Sequence, residues 1–304
     1  MNTFILNENE RIQLALLSLD GLSIGDGFGE RFFSATNAPY IRRRTPPPPF
    51  WSWTDDTAMA ISIVRTLQVH GQIQQDDLAS RFATVFASNP GRGYGPGAVR
   101  LLDHLHKGID WREASRAMFS GTGSMGNGGA MRAAPLGAWF ADDLDRVVSQ
   151  AKLSAEVTHA HPEGQAGAVA TAVAAALAYR VVKQAMPKDF KNLMQTVAVH
   201  TPDGPTRIGL KQAAVLPRSV SVEDAARTLG CGTKLTSADT VPFCLWCAFH
   251  HLDCYEDALW TCVSAGGDVD TTAAIVGGIV ALAVGHKGVP DPWRECREPL
   301  PPLV

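Results

Sequence analysis

The sequence predicts an all-α, single-domain protein with oxygen-rich loops at helix ends. Three observations carry this. Apolar residues recur every three to four positions along most of the chain, and no alternating run reaches strand length. Thr, Asp and Ser clusters stand directly before apolar runs, as helix caps do. Two stretches, 167–178 and 273–284, consist almost wholly of Ala, Gly, Val and Ile, so other helices can approach them closely. The 304 residues show no shift in composition. One domain over 1–304 is therefore expected, with its core at about 10–285 and a Pro- and charge-rich surface tail at 286–304.

Taken in order, Asn9 to Leu22 reads as a largely buried helix through Leu14, Leu17 and Leu19. It runs into Gly25-Asp26-Gly27-Phe28-Gly29-Glu30, read as a loop whose glycines admit close backbone approach. Arg42 to Pro49 is a basic, stiff, proline-rich loop, either solvated or facing an anionic ligand. Thr57–Val69 and Asp76–Ser88 are amphipathic helices. Asn89 to Gly97 has too much Gly and Pro for regular structure; its Tyr94 either reaches a ligand or packs on the core. Gly121 to Gly129 is the richest glycine loop and precedes a helix at Ala130–Phe140. Its amides suit phosphate oxygens, although no Walker Gly-Lys-Ser/Thr follows. Ala155 to Ala178, carrying Thr158-His159, is expected to be a central helix. Ser221 to Asp224 starts a short helix, and Thr236 to Pro242 is a linker before two more helices.

Two acidic clusters carry the chemistry. Trp53-Thr54-Asp55-Asp56-Thr57 opens one apolar helix, and Gly266-Gly267-Asp268-Val269-Asp270-Thr271 opens another, with Asp270 as the expected N-cap. Each alone is satisfied by ordinary capping. Pooled, they supply four carboxylates and at least two hydroxyls, which suits two divalent ions roughly 3.5–4 Å apart.

The motifs then stand in a recognisable order: Gly25-Asp-Gly-Phe-Gly29, Trp53-Thr-Asp-Asp-Thr57, Gly126-Asn-Gly-Gly-Ala-Met-Arg132, Thr158-His159 and Gly266-Gly-Asp-Val-Asp-Thr271. In this order the chain resembles the ADP-ribosylglycohydrolase family over about residues 10–285. The resemblance implies an all-α fold with a binuclear centre of Mg2+ or Mn2+, held here by Thr54, Asp55, Asp56, Asp268, Asp270 and Thr271, with Asp26 behind them. It implies hydrolysis of the bond between ADP-ribose and a protein or small-molecule acceptor. Ser124, Met125, Gly126, Asn127 and His159 are then expected to hold the ADP-ribose, and Arg92-Gly-Tyr94-Gly matches a stretch of the serine-linked branch. Asp55, Asp56 or Glu30 would move the proton. Two departures stand out. Phe33 occupies a place where many relatives carry Glu, and Met125 stands where the serine-linked branch often has an aromatic.

The net charge of −3 implies no general nucleic-acid surface. No uninterrupted apolar run reaches the length of a membrane span, which takes ~18 or more residues. The start lacks a secretory pattern, so a cytoplasmic protein with free thiols is expected. Cys244 and Cys247 read as small buried hydrophobes rather than a zinc or redox pair. A monomer is the default. The rivals are a non-catalytic ADP-ribose-binding or crystallin-like member of the same fold and a binuclear phosphatase; no His stands beside either acidic cluster to favour the latter.

Overall fold

Two helices pack closer than ordinary side chains permit, and their contact fixes where the acidic residues meet. A computed structural model describes residues 4–217 and 219–303. The opening helix, Glu8–Glu30, starts on a reciprocal cap between Asn7 and Glu10. It continues unbroken through the Gly25–Gly29 run expected to be a loop. The reason is tertiary. Gly21, Gly25 and Gly29 form one stripe at four-residue spacing, laid antiparallel on the helix Val269–Val284. A Cβ on Gly25 would lie 2.1 Å from the Ala273 carbonyl oxygen, and one on Gly29 would lie 2.2 Å from that of Val269. Gly277 returns the favour, since its Cβ would meet the Gly21 carbonyl at 2.4 Å. The propensity cost of helical glycine, about 1 kcal/mol each, is offset by backbone-to-backbone packing. Tyr255 donates to the Gly21 carbonyl at 2.6 Å and Ser18 to that of Gly278 at 2.8 Å.

The Ala-rich helix Pro162–Val182 runs through the middle of the bundle. By length and composition it would span a bilayer, but most of it is buried against other helices. It does not begin at Ala155 as expected. A separate helix, Leu144–Glu156, ends there, and the next starts with Pro162 in its first turn and His161 as cap. Proline disfavours helical conformation in the residue before it, so the chain turns over 157–161 and His159 lies in that turn. Thr236–Pro242 is likewise helical rather than a linker: Thr236 caps the helix Ser237–His250, and the Pro242 ring fits against Gly209. No β-strand occurs among the described residues; there are only isolated bridges.

The tail expected to lie on the surface is instead anchored to the core over 286–303, through the buried side chains of Val289 and Trp293. Trp293 is buried, stacks on Phe28 at 4.5 Å and meets Trp51 edge-on at 5.6 Å. Trp51 N donates to Cys296 O at 2.7 Å, and Glu298 N donates to Trp51 O at 2.9 Å. Arg92 stacks on Trp53 and grips Glu298 with two hydrogen bonds of 2.6 Å. The segment thus straps down the residues that lead into the first acidic cluster. Its prolines and charges suggested solvation, and only the fold supplied partners for Trp293 and Glu298. Cys244 and Cys247 are fully buried, and no cysteine is in a disulfide.

Candidate active site

The helix Asp55–His70 begins under the end of the opening helix. Thr54 is its N-cap, and Asp26 serves the same turn from outside. The Asp26 carboxylate accepts from Thr54 N (2.9 Å), Thr54 Oγ1 (2.8 Å), Thr57 N (3.1 Å) and Thr57 Oγ1 (2.6 Å). Backbone N–H groups at a helix start favour an anion there. Burial is still the larger effect, and it pushes the Asp26 carboxyl up to about 6.

The second cluster sits where Gly266 and Gly267, at φ of +71° and +79°, turn the chain into Val269–Val284. Asp268, not Asp270, occupies the cap position, and its side chain caps nothing. Asp268 N donates instead to Cys231 O (3.0 Å), and Asp268 Oδ2 accepts from Asn127 Nδ2 (2.6 Å). Asp270 lies inside the first helical turn, with Thr271 N donating to its Oδ1 at 2.7 Å.

The tightest acidic group is Asp26, Asp56 and Asp270, each with a carboxylate oxygen within 4.8 Å of the others. Asp26, expected behind the ligands, is in contact distance of Asp56 and Asp270, with both its oxygens engaged by Thr54 and Thr57. Asp56 is almost wholly buried, and its Oδ1 has no hydrogen-bond partner. Burial and repulsion from Asp26, Asp270, Asp55 and Asp268 hold its carboxyl well above the usual range. Asp55 is pushed up to about 7 by burial and by the Asp26 charge, and Asp270 is raised well above the usual range by burial and by the Asp268 and Asp26 charges. A hard divalent cation is the partner such a set lacks, so the residues fit the expected metal. Thr54 points its hydroxyl at Asp26 and Asp56 (2.8 and 3.0 Å).

Beside this cluster opens a cavity of about 920 Å³. Asp55, Asp56, Asp268, Asp270, Thr271 and Glu30 line its acidic end. Glu30 is half-buried and its carboxyl is raised by desolvation. Ser124, Met125, Gly126, Asn127 and His159 line the cavity as expected, although Asn127 spends its amide on Asp268 and Thr240. Tyr94 does not line it. Its ring packs edge-on to Phe86 at 5.2 Å behind Gly93 and Gly95, because the glycines on either side form the wall themselves. Gly93 lies close over Asp55.

Of the cavity residues that sequence reasoning missed, three stand out. Phe119 and Leu235 stand more than half exposed at its mouth, on left-handed backbone of φ +52° and +56°. That conformation is strained for non-glycine residues and tends to mark ligand sites. Nothing in the sequence announces it. Arg132 is the third, a buried cation in the cavity wall whose place in the Gly126–Arg132 motif was a usable signal.

An all-helical domain with an acid-lined cavity at the helix ends defines a class. The family model for ADP-ribosylglycohydrolase matches residues 7–301, and the chain belongs to that family, hydrolases acting on ADP-ribosylated substrates. Among its relatives, ADP-ribosylhydrolase ARH3 of Gallus gallus is 33% identical, over 92% of this chain and 80% of that protein. ADP-ribosylhydrolase ARH3 of Homo sapiens is 32% identical, over 81% of this chain and 74% of that protein. A solved structure described as an ADP-ribosylglycohydrolase-related protein complex shares the fold with a TM-score of 0.69 at 22% identity, covering 95% of this chain and 94% of that one.

Proposed function

We propose that this chain is a divalent-metal-dependent hydrolase that frees ADP-ribose from an O-linked acceptor, acting as a cytoplasmic monomer. The observation that carries the reading is the convergence of four Asp side chains, from two separate helix starts, on one end of a nucleotide-sized cavity, with Asp26 buried against Asp56 and Asp270. Asp55, Asp56, Asp268 and Asp270 would hold two ions, with Asp26 closing the group and Thr54 and Thr271 completing the oxygen set. Bound there, Mg2+ (alternatively Mn2+) would supply orientation of ribose hydroxyls and a more acidic water.

The chain's own residues supply the rest. The Gly126–Gly128 turn and His159 face the pyrophosphate, where amide and ring N–H donors match anionic oxygens. Phe119, Met125 and Leu235 offer apolar faces to the base at the mouth. In hydrolysis a water oxygen bonds to the anomeric carbon as the acceptor oxygen leaves with the bond pair. The water's proton passes to a carboxylate, and the acceptor oxygen gains one. Glu30 is the carboxylate at the cavity edge outside the crowded cluster, and Phe33 beside it leaves no second acid there. Asp55 and Asp56 stand nearer the ions.

The O-linked preference is supported by the Arg92–Gly95 and Ser124–Arg132 stretches. The test is a panel of serine-linked, arginine-linked, acetyl-linked and polymeric ADP-ribose with Mg2+, Mn2+ or EDTA, reading free ADP-ribose by chromatography. Release from the serine-linked substrate, lost in EDTA, is expected. No release from any linkage with either metal would leave a binding protein of the same fold.

A further inference from the structure

We infer that Arg132 is a positioning residue: through Thr158 it locks His159 in the tautomer that presents Nε2–H to the cavity. Arg132 Nη2 donates to Thr158 Oγ1 at 2.7 Å, so that hydroxyl is already an acceptor there. Thr158 Oγ1 also stands 2.7 Å from His159 Nδ1. The hydroxyl has one proton and two places to put it, His159 Nδ1 or the Ala155 carbonyl at 3.5 Å. The Ala155 oxygen is the poorer acceptor, because it already receives Thr158 N (3.0 Å) and His159 N (2.8 Å). The Thr158 proton therefore points at Nδ1. Nδ1 accepts, and the ring hydrogen resides on Nε2.

The ring has little freedom to escape this arrangement. Three glycines form its slot: a Cβ on Gly164 would fall 2.9 Å from His159 Cβ, and Cβ atoms on Gly126 and Gly128 would lie 3.2 Å from Nε2 and Cε1. Flipping the ring would place carbon against Thr158. Burial and the Arg132 charge also pull the His159 pKa down to about 3, so the ring stays neutral. Arg132 itself, lowered to about 9 by burial, remains a cation at neutral pH. The cavity thus holds a neutral, fixed donor beside Ser124 and Gly126, complementary to an acceptor oxygen such as that of a phosphate and opposed to a ligand donor at that point. That ligand class rests on the proposed function; the tautomer does not.

The experiment is long-range 1H–15N NMR on full-length, metal-free protein, with the His159 signal assigned by its loss in His159→Gln. The wild type should show Nε2–H with Nδ1 as the bare nitrogen. Thr158→Val removes the hydroxyl at nearly constant volume and should give mixed tautomers and about tenfold weaker ADP-ribose binding by calorimetry. Thr158→Ser should restore both. Arg132→Met, if it folds, should also mix the tautomers. Nδ1–H in the wild type, or an unchanged tautomer in Thr158→Val whatever its affinity, overturns the relay. A changed tautomer with unchanged ADP-ribose affinity sustains the relay and counts against the proposed ligand instead.

Discussion

Asp56 is the residue most at odds with its surroundings. It is buried, one oxygen lacks a partner, and four neighbouring carboxylates repel it. Binding sites carry such strain because a ligand relieves it. Asp56→Asn should therefore raise the melting temperature of the metal-free protein by about 3 °C, as expected for ~1 kcal/mol in a chain of this size. The same change should cut ADP-ribose release about a hundredfold or more. Calorimetry in EDTA reads the first; a lower melting temperature would show that repulsion is not what Asp56 suffers. Asp55→Ala should abolish turnover and weaken Mg2+ binding in titration calorimetry, and near-wild-type activity would remove Asp55 from the site. The acidic residues were legible as residues, since Thr-Asp-Asp-Thr and Gly-Asp-Val-Asp-Thr, pooled, supply more carboxylates than helix capping uses. Tyr94 was not, because its loop gave equal grounds for facing in or out.

The element that decides the site is the antiparallel pair Glu8–Glu30 and Val269–Val284. Its glycine stripe carries Asp26 to the start of the other helix, where Asp270 stands. Gly25→Ala should cost about 2–3 kcal/mol in urea unfolding, since its Cβ would meet backbone that cannot move aside. Gly91→Ala is the control: its nearest neighbour is a side-chain oxygen 3.7 Å away, and stability should hold within about 0.5 kcal/mol. Equal effects of the two would mean the close contact carries no weight. The Gly21-x3-Gly25-x3-Gly29 repeat was in the sequence to be seen. It went unread as helix because glycine has low helical propensity, and that propensity yields only when a particular partner is known.

At the scale of the whole molecule, metal and protons compete for one acidic core. Free carboxyls lose their protons near 3.8, whereas the folded metal-free protein keeps those of Asp26 and Asp55 to about 6 and about 7. Between those values the folded state binds more protons than the unfolded one, so its stability falls as pH rises from about 4 to about 7. Melting temperature in EDTA should therefore decline from about pH 5 to about pH 7.5, and saturating Mg2+ should remove most of the decline. A flat profile in EDTA would mean these carboxyls are ionised without cost.

The sequence by itself determined the helical class, the two acidic helix starts and the glycine loop beside them, because these follow from local periodicity and side-chain chemistry. Only the tertiary structure decided that Asp26 joins the acidic group, that Asp268 is held by Asn127, that His159 sits in a turn, and that Trp293 belongs to the core. Each of those depends on a partner far away in the chain, and the energy that settles it comes from burial and packing between elements, which no local pattern records.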